Sequence, residues 1–139
     1  MSPATPLQVG DRRTIERTFT VEEVETFARL SGDTGEQHTR ADTQGRRMVH
    51  GLLLASMPTK LGGTMNFLAR DFTFEFLRPV YTGETVRCEV VVTSAEPVPR
   101  GIRLESTWEC TRISTGEVVM RGRGKGLVPQ RGPESASAP

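Results

Sequence analysis

The chain has 139 residues, of which 35% are hydrophobic, a length that suits one domain with its own core better than two. Its formal net charge is +1, so it lacks the strong positive field on which nonspecific nucleic-acid binding depends. No run approaches the roughly 20 apolar residues that span a bilayer, and the first residues do not resemble a signal peptide. We therefore expect a cytoplasmic protein that binds neither membrane nor nucleic acid and whose anionic partner is small.

A strand is expected near residues 13–19, and a helix should follow it directly. Thr20 and Glu23 form a capping box, in which each side chain accepts a hydrogen bond from the other residue's backbone N–H. The next apolar residues recur at near-helical spacing up to Gly32, which tolerates the left-handed conformation of a helix stop. The sequence therefore predicts a short amphipathic helix that ends at Ser31 and Gly32.

The next two segments differ sharply in polarity. Residues 33–47 are polar throughout and contain two glycines, which predicts a loop, and a loop of this length in a compact domain often carries function. Residues 48–61 are apolar on nearly every face, which predicts a helix that is buried all round. Pro58 should kink or shorten the last turn of this helix, and Gly62-Gly63 should end it.

After residue 66 the apolar period changes to two, which is typical of half-buried strands. Four alternating sets follow, separated by turn residues that suit antiparallel neighbours. We expect an α+β fold in which about five antiparallel strands lie against one long central helix. One domain should cover residues 1–128, and residues 129–139, rich in Pro, Ser, Gly and Ala, should form a disordered tail. The four sets are 71–76, 86–92, 102–110 and 118–128.

The only histidines and cysteines of the chain are His38, His50, Cys88 and Cys110. Their spacing fits no compact zinc arrangement, because the cysteines lie on separate predicted strands far from the polar loop. Their position within strand-like alternation indicates buried free thiols. We therefore expect neither a metal nor a cofactor.

Asp33 opens the polar loop, and His38 follows within a flexible reach over which a carboxylate and an imidazole can act on one water or one substrate proton. From spacing alone, two solvated loop residues are the simpler interpretation, since such a pair is a weak motif. His50 and Gly51 begin the buried helix, where a backbone N–H can stabilise a developing oxyanion. Taken alone, the two residues have a simpler structural explanation: Gly51 allows the helix to pack closely on the sheet, and His50 is a hydrogen-bonded histidine of the core.

A second charged motif lies near the end of the domain, where three cations alternate with three glycines between Arg121 and Gly126. The cations could form a phosphate-binding ridge for a nucleotide-bearing ligand. They could instead be a solvated outer face, with the glycines forming a lane on which the central helix packs closely. The second interpretation is favoured. The cations are Arg121, Arg123 and Lys125.

Taken together, four segments resemble the MaoC-like, R-specific enoyl-CoA hydratases in order and spacing over about residues 9–128. The segments are FARLSGD at 27–33 with His38, MVHGLLLAS at 48–56, FLRPV at 76–80 and GE at 83–84. The resemblance implies a hot-dog fold, in which the sheet wraps around one long helix, and a homodimer. It also implies an acyl-CoA thioester as the substrate.

By the same resemblance, Asp33 and His38 hold a water that adds to the double bond of a trans-2-enoyl-CoA, or act in the reverse dehydration. The backbone N–H of Gly51 polarises the thioester carbonyl. We also expect a group of residues to contact the substrate. These are Ser31, His50, Arg46, Arg47 and Lys60.

The chain departs from the family pattern inside the polar loop. Residues 34–37 lack the usual Asn-Pro, Arg40 stands where an acidic residue is common, and the loop up to His50 is short. These departures could mean a different acyl length, the direction of a β-hydroxyacyl dehydratase, or a changed reaction. Two alternatives stay open, because a fold does not fix a function: a hot-dog acyl-CoA thioesterase, and a non-catalytic acyl-CoA-binding or assembly module.

Overall fold

The computed structural model describes residues 7–130, which form a five-stranded antiparallel sheet with helices packed on one face. The strand order is β1-β3-β4-β5-β2, so β1 and β2 are the edges. The predicted α+β architecture and strand number are therefore confirmed. The elements are β1 (Arg12–Thr18), α1 (Val21–Ser31), α2 (Glu36–Thr39), α3 (Gly51–Leu54), α4 (Ser56–Gly63), β2 (Leu68–Phe76), β3 (Thr85–Val98), β4 (Gly101–Arg112) and β5 (Val118–Pro129).

The end of the domain differs slightly from the prediction. Pro129 still belongs to β5, and the backbone N–H of Gln130 donates to the carbonyl of Arg100 at 2.9 Å. The sheet therefore extends one residue into the segment expected to be a tail, and Gln130 is bonded to the turn between β3 and β4. The remainder of that predicted tail, 131–139, lies outside the described residues.

Helix α1 begins and ends as its sequence predicts. The Thr20 hydroxyl accepts from the Glu23 N–H at 3.1 Å, and the Glu23 carboxylate accepts from the Thr20 N–H at 2.9 Å. Arg17 of β1 donates to the same carboxylate at 2.7 Å. Gly32 ends the helix with a φ of 79°. With 11 residues α1 is the longest helix in the described part of the chain, where no helix is long and apolar enough to cross a membrane.

The predicted long helix over residues 48–61 is not clearly shown, because the segment is divided into α3 and α4 at Ala55. Pro58 has no N–H with which to bond the carbonyl of Leu54. The carbonyl of the preceding residue, Leu53, accepts a hydrogen bond from the Ser56 hydroxyl at 2.5 Å. The first residues of the segment are extended, since the N–H of Val49 donates to the carbonyl of Val80. The helical segment is not buried all round either, since Leu52 is 66% exposed.

The polar segment 33–47 is a loop, as predicted, apart from the single turn of α2. A tight turn follows α2, in which the Asp42 carboxylate accepts hydrogen bonds from the backbone N–H groups of Arg46 and Gln44. The bond from Arg46 is the main cause that lowers the pKa of Asp42. These local bonds give the loop a defined path although it has no apolar period.

The three glycines of β5, Gly122, Gly124 and Gly126, form the glycine lane predicted from the sequence, but the central helix does not pack on it. Aromatic side chains of neighbouring strands lie there instead. A Cβ atom on Gly122 would clash with the carbonyl oxygen of Thr73 and lie 2.7 Å from Nε1 of Trp108. One on Gly124 would lie 2.8 Å from Cδ1 of Phe72 and 2.9 Å from Cη2 of Trp108. Trp108 is 5% exposed and belongs to the hydrophobic core. The lane therefore makes room for this indole ring.

On the outer face of β5, two of the three cations lie between acidic residues of both neighbouring strands. Nε of Arg121 is 3.3 Å from Oε1 of Glu75 in β2. Arg123 instead lies between two threonines in the ladder. Because the acids neutralise much of the local charge, a solvated face explains this strand better than a phosphate ridge. The acidic neighbours are Glu75 and Glu109 for Arg121, and Asp71 and Glu105 for Lys125.

The two cysteines are free and buried, as predicted, and face each other directly across the β3–β4 ladder. A hydrogen bond between Cys110 and Cys88, together with burial, raises the pKa of the Cys110 thiol well above its ordinary value. The Cys110 thiol therefore stays protonated, and both buried cysteines contribute to the core as small apolar groups.

Candidate active site

The residues predicted to carry chemistry meet where α1 ends and α3 begins. Asp33 follows the glycine that ends α1, His38 lies in α2, and His50 immediately precedes α3. The side chain of Asp33 is 56% exposed and that of His38 is 7% exposed, so the carboxylate is accessible from solvent above a buried ring. The fold thus brings together groups that lie 17 residues apart in the sequence.

The position of His38 is set by its two ring nitrogens. Nδ1 lies 2.7 Å from the carbonyl oxygen of Met48. Because a carbonyl can only accept, Nδ1 carries the proton and Nε2 of the neutral ring has a free lone pair. Nε2 lies 3.7 Å from Oδ2 of Asp33, too far for a direct hydrogen bond. Both groups are therefore available to a third group that contacts them together.

His50 lies behind this pair, with only 1% of its surface exposed. Its Nε2–H donates to the carbonyl oxygen of Asp33 at 2.9 Å. Its ring stacks on His38 with centroids 3.7 Å apart and planes 16° apart. Its Nδ1 has no hydrogen-bond partner within the part of the chain that the structure describes. His50 was predicted to contact the substrate, but in the structure it is buried on the protein side of Asp33 and His38.

Gly51 is the first residue of α3, where backbone N–H groups have no partner within the helix. A side chain would be tight here, because a Cβ atom would lie 3.0 Å from Cζ of Phe76, whose ring would have to shift. Since α3 has a single turn, its dipole contributes little. Any stabilisation of an oxyanion must come from a direct hydrogen bond of the Gly51 N–H.

Ser31 supports Asp33 through the backbone. Its hydroxyl donates to the carbonyl of Phe27 at 2.7 Å and accepts from the N–H of Asp33 at 3.1 Å. The Asp33 carboxylate in turn accepts from the N–H of Gly35 at 3.3 Å. These bonds fix the direction of the chain as it leaves α1. Ser31 thus contacts the backbone around Asp33.

The three cations predicted to bind substrate are not brought together. Arg47 pairs with Glu25 of α1 at 2.9 Å. Arg46 pairs with Asp42 at 2.9 Å and lies over the ring of Tyr81 at 4.2 Å. Lys60 is exposed on α4. Arg47 therefore holds the loop against α1, Arg46 is paired within the loop, and only their remaining N–H groups are available to an anion.

One ligand atom each from Asp33, His38 and His50 lie within 4.8 Å of one another, a set that by residue type could bind a divalent metal. The stacked rings argue against this use. Lone pairs of imidazoles lie in the ring planes, and two planes only 16° apart direct them nearly parallel rather than toward one ion. The arrangement suits proton transfer better than metal binding.

Several important contacts of the site were not predicted. Phe27 packs its edge on His50 with centroids 4.8 Å apart, and Phe76 covers Gly51 from β2. The carbonyl of Met48 orients His38. The alternation of residues 71–76 identified Phe76 as a strand residue, but no local pattern relates it to a helix 25 residues earlier.

No family model matches the chain. An (R)-specific enoyl-CoA hydratase of Aeromonas caviae is 34% identical over 102 residues, which cover 66% of this chain and 75% of that protein. An (R)-specific enoyl-CoA hydratase of Rhodospirillum rubrum is 28% identical over 135 residues, or 91% of each chain. The solved structure of the (R)-hydratase from A. caviae involved in PHA biosynthesis has a TM-score of 0.78 at 27% identity, over 91% of this chain and 100% of that one.

The antiparallel sheet with its helical layer, shared with that hydratase structure, defines a hot-dog fold. Within this fold, the chain belongs to the family of (R)-specific enoyl-CoA hydratases. The predicted fold class and family are therefore confirmed, with α3 and α4 in place of the expected long helix.

Proposed function

We propose that the protein adds water to the double bond of a trans-2-enoyl-CoA to give an (R)-3-hydroxyacyl-CoA, or catalyses the reverse dehydration. One observation carries the proposal: an accessible Asp33 carboxylate lies 3.7 Å from the lone-pair nitrogen of a buried His38. The proposal is also supported by two relatives of this chain, both of which are named (R)-specific enoyl-CoA hydratases.

In the proposed mechanism the N–H of Gly51 donates to the thioester carbonyl oxygen, which gains negative charge as water adds to the double bond. One member of the Asp33–His38 pair takes a proton from that water, and the other delivers a proton to the α-carbon. A water that contacts both side chains then passes a proton back between them and completes the cycle. Acid–base assistance of this kind contributes about 10²–10⁴ in rate, and one oxyanion donor about 10²–10³.

The test uses Asp33→Asn and His38→Gln with a panel of trans-2-enoyl-CoA chain lengths, following loss of the conjugated thioester absorbance. Each variant should keep its fold and lose about 10²–10⁴ in kcat. Glu36→Gln is a matched control, because Glu36 is an acidic residue of the same segment whose side chain is 83% exposed. It should retain the activity of the parent protein.

Three results would contradict parts of this proposal. If both variants hydrate enoyl-CoA as fast as the parent, the pair is not catalytic. If the parent releases free thiol from acyl-CoA instead, the protein is a thioesterase that directs water at the carbonyl carbon. If the parent binds CoA esters and catalyses neither reaction, it is a binding or assembly module.

We further propose that the protein is a homodimer joined through the β2 apolar edge, defined as Leu68, Phe72, Phe76 and Leu77. These side chains are 41% to 56% exposed on an edge strand and the residue that follows it. Exposed apolar side chains on an edge strand favour pairing with another chain. A second copy of the same edge would cover them symmetrically.

We also propose a cytoplasmic location and a role in fatty acid metabolism. The two buried free thiols support a reducing compartment, since adjacent cysteines on paired strands could form a disulfide in an oxidising one. The metabolic role follows from the acyl-CoA substrate proposed above.

A further inference from the structure

His50 has no part in the proposed chemistry, yet it contacts both residues that do. It donates through Nε2–H to the carbonyl oxygen of Asp33 at 2.9 Å. The face of its ring lies against the ring of His38, with centroids 3.7 Å apart. A single buried side chain therefore fixes the backbone of one member of the pair and the ring of the other.

The ring of His50 is itself held firmly. The edge of Phe27 from α1 packs against it, with centroids 4.8 Å apart. The residue before it is anchored to the sheet, because the N–H of Val49 donates to the carbonyl of Val80 at 2.8 Å. The next turn of helix continues from its carbonyl, which accepts from the N–H of Leu54. His50 is thus a fixed point between the core and the catalytic pair.

We propose that His50 is a positioning residue, which holds Asp33 and His38 at their mutual distance through its N–H bond and its stacked ring. The inference rests on the proposed hydratase function. Displacements of about 1 Å in an active site can cost 10²-fold in rate, so the bond from His50 to Asp33 should affect kcat much more than KM.

The same contacts fix the tautomer of the neutral His50 ring. The carbonyl of Asp33 can only accept, so Nε2 carries the proton, and Nδ1 is left as a buried lone pair without a donor among the described residues.

The first test measures the intact wild-type protein by NMR with ¹⁵N-labelled histidine. At a pH where the rings are neutral, His50 should be an Nε2–H tautomer and His38 an Nδ1–H tautomer. An Nδ1–H tautomer at His50 would overturn the proposal. This result does not depend on enoyl-CoA being the substrate, so it separates failure of this inference from failure of the proposed function.

The second test compares His50→Gln with His50→Met, two side chains of similar shape of which only Gln can donate to Asp33. H50M should lose about 10²-fold in kcat with little change in KM, whereas H50Q should recover most of that loss. Leu54→Val is the control for a change in core packing, since Leu54 is 3% exposed and one turn further along. It should lower the Tm and leave kcat of the folded protein unchanged.

Wild-type kcat in H50M, or equal losses in H50M and H50Q, would show that the N–H bond does not position the pair. If H50M does not fold, the comparison of H50Q with the wild type and the histidine tautomers still decide the question. If the wild type hydrates no enoyl-CoA at all, the proposed function fails, and the NMR measurement alone tests the role of His50.

Discussion

At the scale of single residues, the orientation of the imidazole rings depends on backbone carbonyl groups. The carbonyl of Met48 determines which nitrogen of His38 carries a proton, and the carbonyl of Asp33 does the same for His50. Every residue has such a carbonyl, so its role here has no signature in the residue types. The sequence could identify the histidines as candidates, but only the folded backbone reveals which of their nitrogens is available.

A buried ion pair away from the site gives a test at the same scale. Arg112 at the end of β4 is 8% exposed and donates to Glu84 at 2.6 Å. Arg112→Met should lower the free energy of unfolding by about 3 kcal/mol, because the partner carboxylate is left without its countercharge in a partly buried site. Urea unfolding measures the change.

Arg103 provides the matched control for Arg112, since it lies on the same strand and pairs with Glu96 at 3.5 Å while its side chain is 62% exposed. Arg103→Met should change the free energy of unfolding by less than about 1 kcal/mol. Equal effects of the two substitutions would mean that burial does not determine the contribution of the Arg112 pair.

At the scale of elements, the features predicted correctly are those encoded by near neighbours. The capping box of α1, its glycine stop and the alternating strands all depend on residues a few positions apart. The division of the central helix was missed because Pro58 was expected to affect only its last turn, whereas the missing N–H acts one turn earlier, at Leu54. The occupant of the glycine lane was missed because Trp108 reaches it from another strand.

The start of α1 should make stability depend on pH. Hydrogen bonds from Arg17 and from the N–H of Thr20 lower the pKa of Glu23 below its ordinary value of 4.5. A carboxylate whose pKa is lower in the folded state stabilises that state above the unfolded pKa and loses this contribution as the pH falls through the folded value. The difference in the free energy of unfolding between wild type and Glu23→Gln should therefore be largest at neutral pH and become smaller below about pH 4.5.

Chemical denaturation of wild type and Glu23→Gln between pH 3 and 7 would measure this dependence. Glu22→Gln is the control, because Glu22 is exposed in the same turn and should show a much smaller pH-dependent difference. A difference between Glu23→Gln and wild type that stays constant over the whole range would contradict the prediction.

At the scale of the whole molecule, the two edges of the sheet differ in character. β1 has the sequence RRTIERT and is mainly polar, whereas the β2 apolar edge exposes four large apolar side chains. Charged edges resist pairing with other chains and apolar edges favour it. The asymmetry predicts that two copies associate through one edge only and form a closed dimer rather than a filament.

Light scattering coupled to size exclusion should therefore give about twice the chain mass of 15.3 kDa. The double substitution Leu68→Glu with Leu77→Glu should shift the protein to a monomer, because it places charges on both ends of the β2 apolar edge. Ile113→Glu is the matched control, since Ile113 is 48% exposed but lies on the turn between β4 and β5. A monomeric wild type would contradict the proposed dimer.

The packing of Trp108 against the glycine lane restricts which substitutions the sequence can accept during evolution. A larger residue on β5 is blocked while the indole is present, and a smaller residue at position 108 leaves a cavity while the glycines are present. Each single step therefore lowers stability, and only paired changes restore the packing. Relatives of this chain that have a small residue at position 108 should accordingly have a larger residue at position 124, whereas position 122 should stay glycine because the carbonyl of Thr73 still blocks a side chain there.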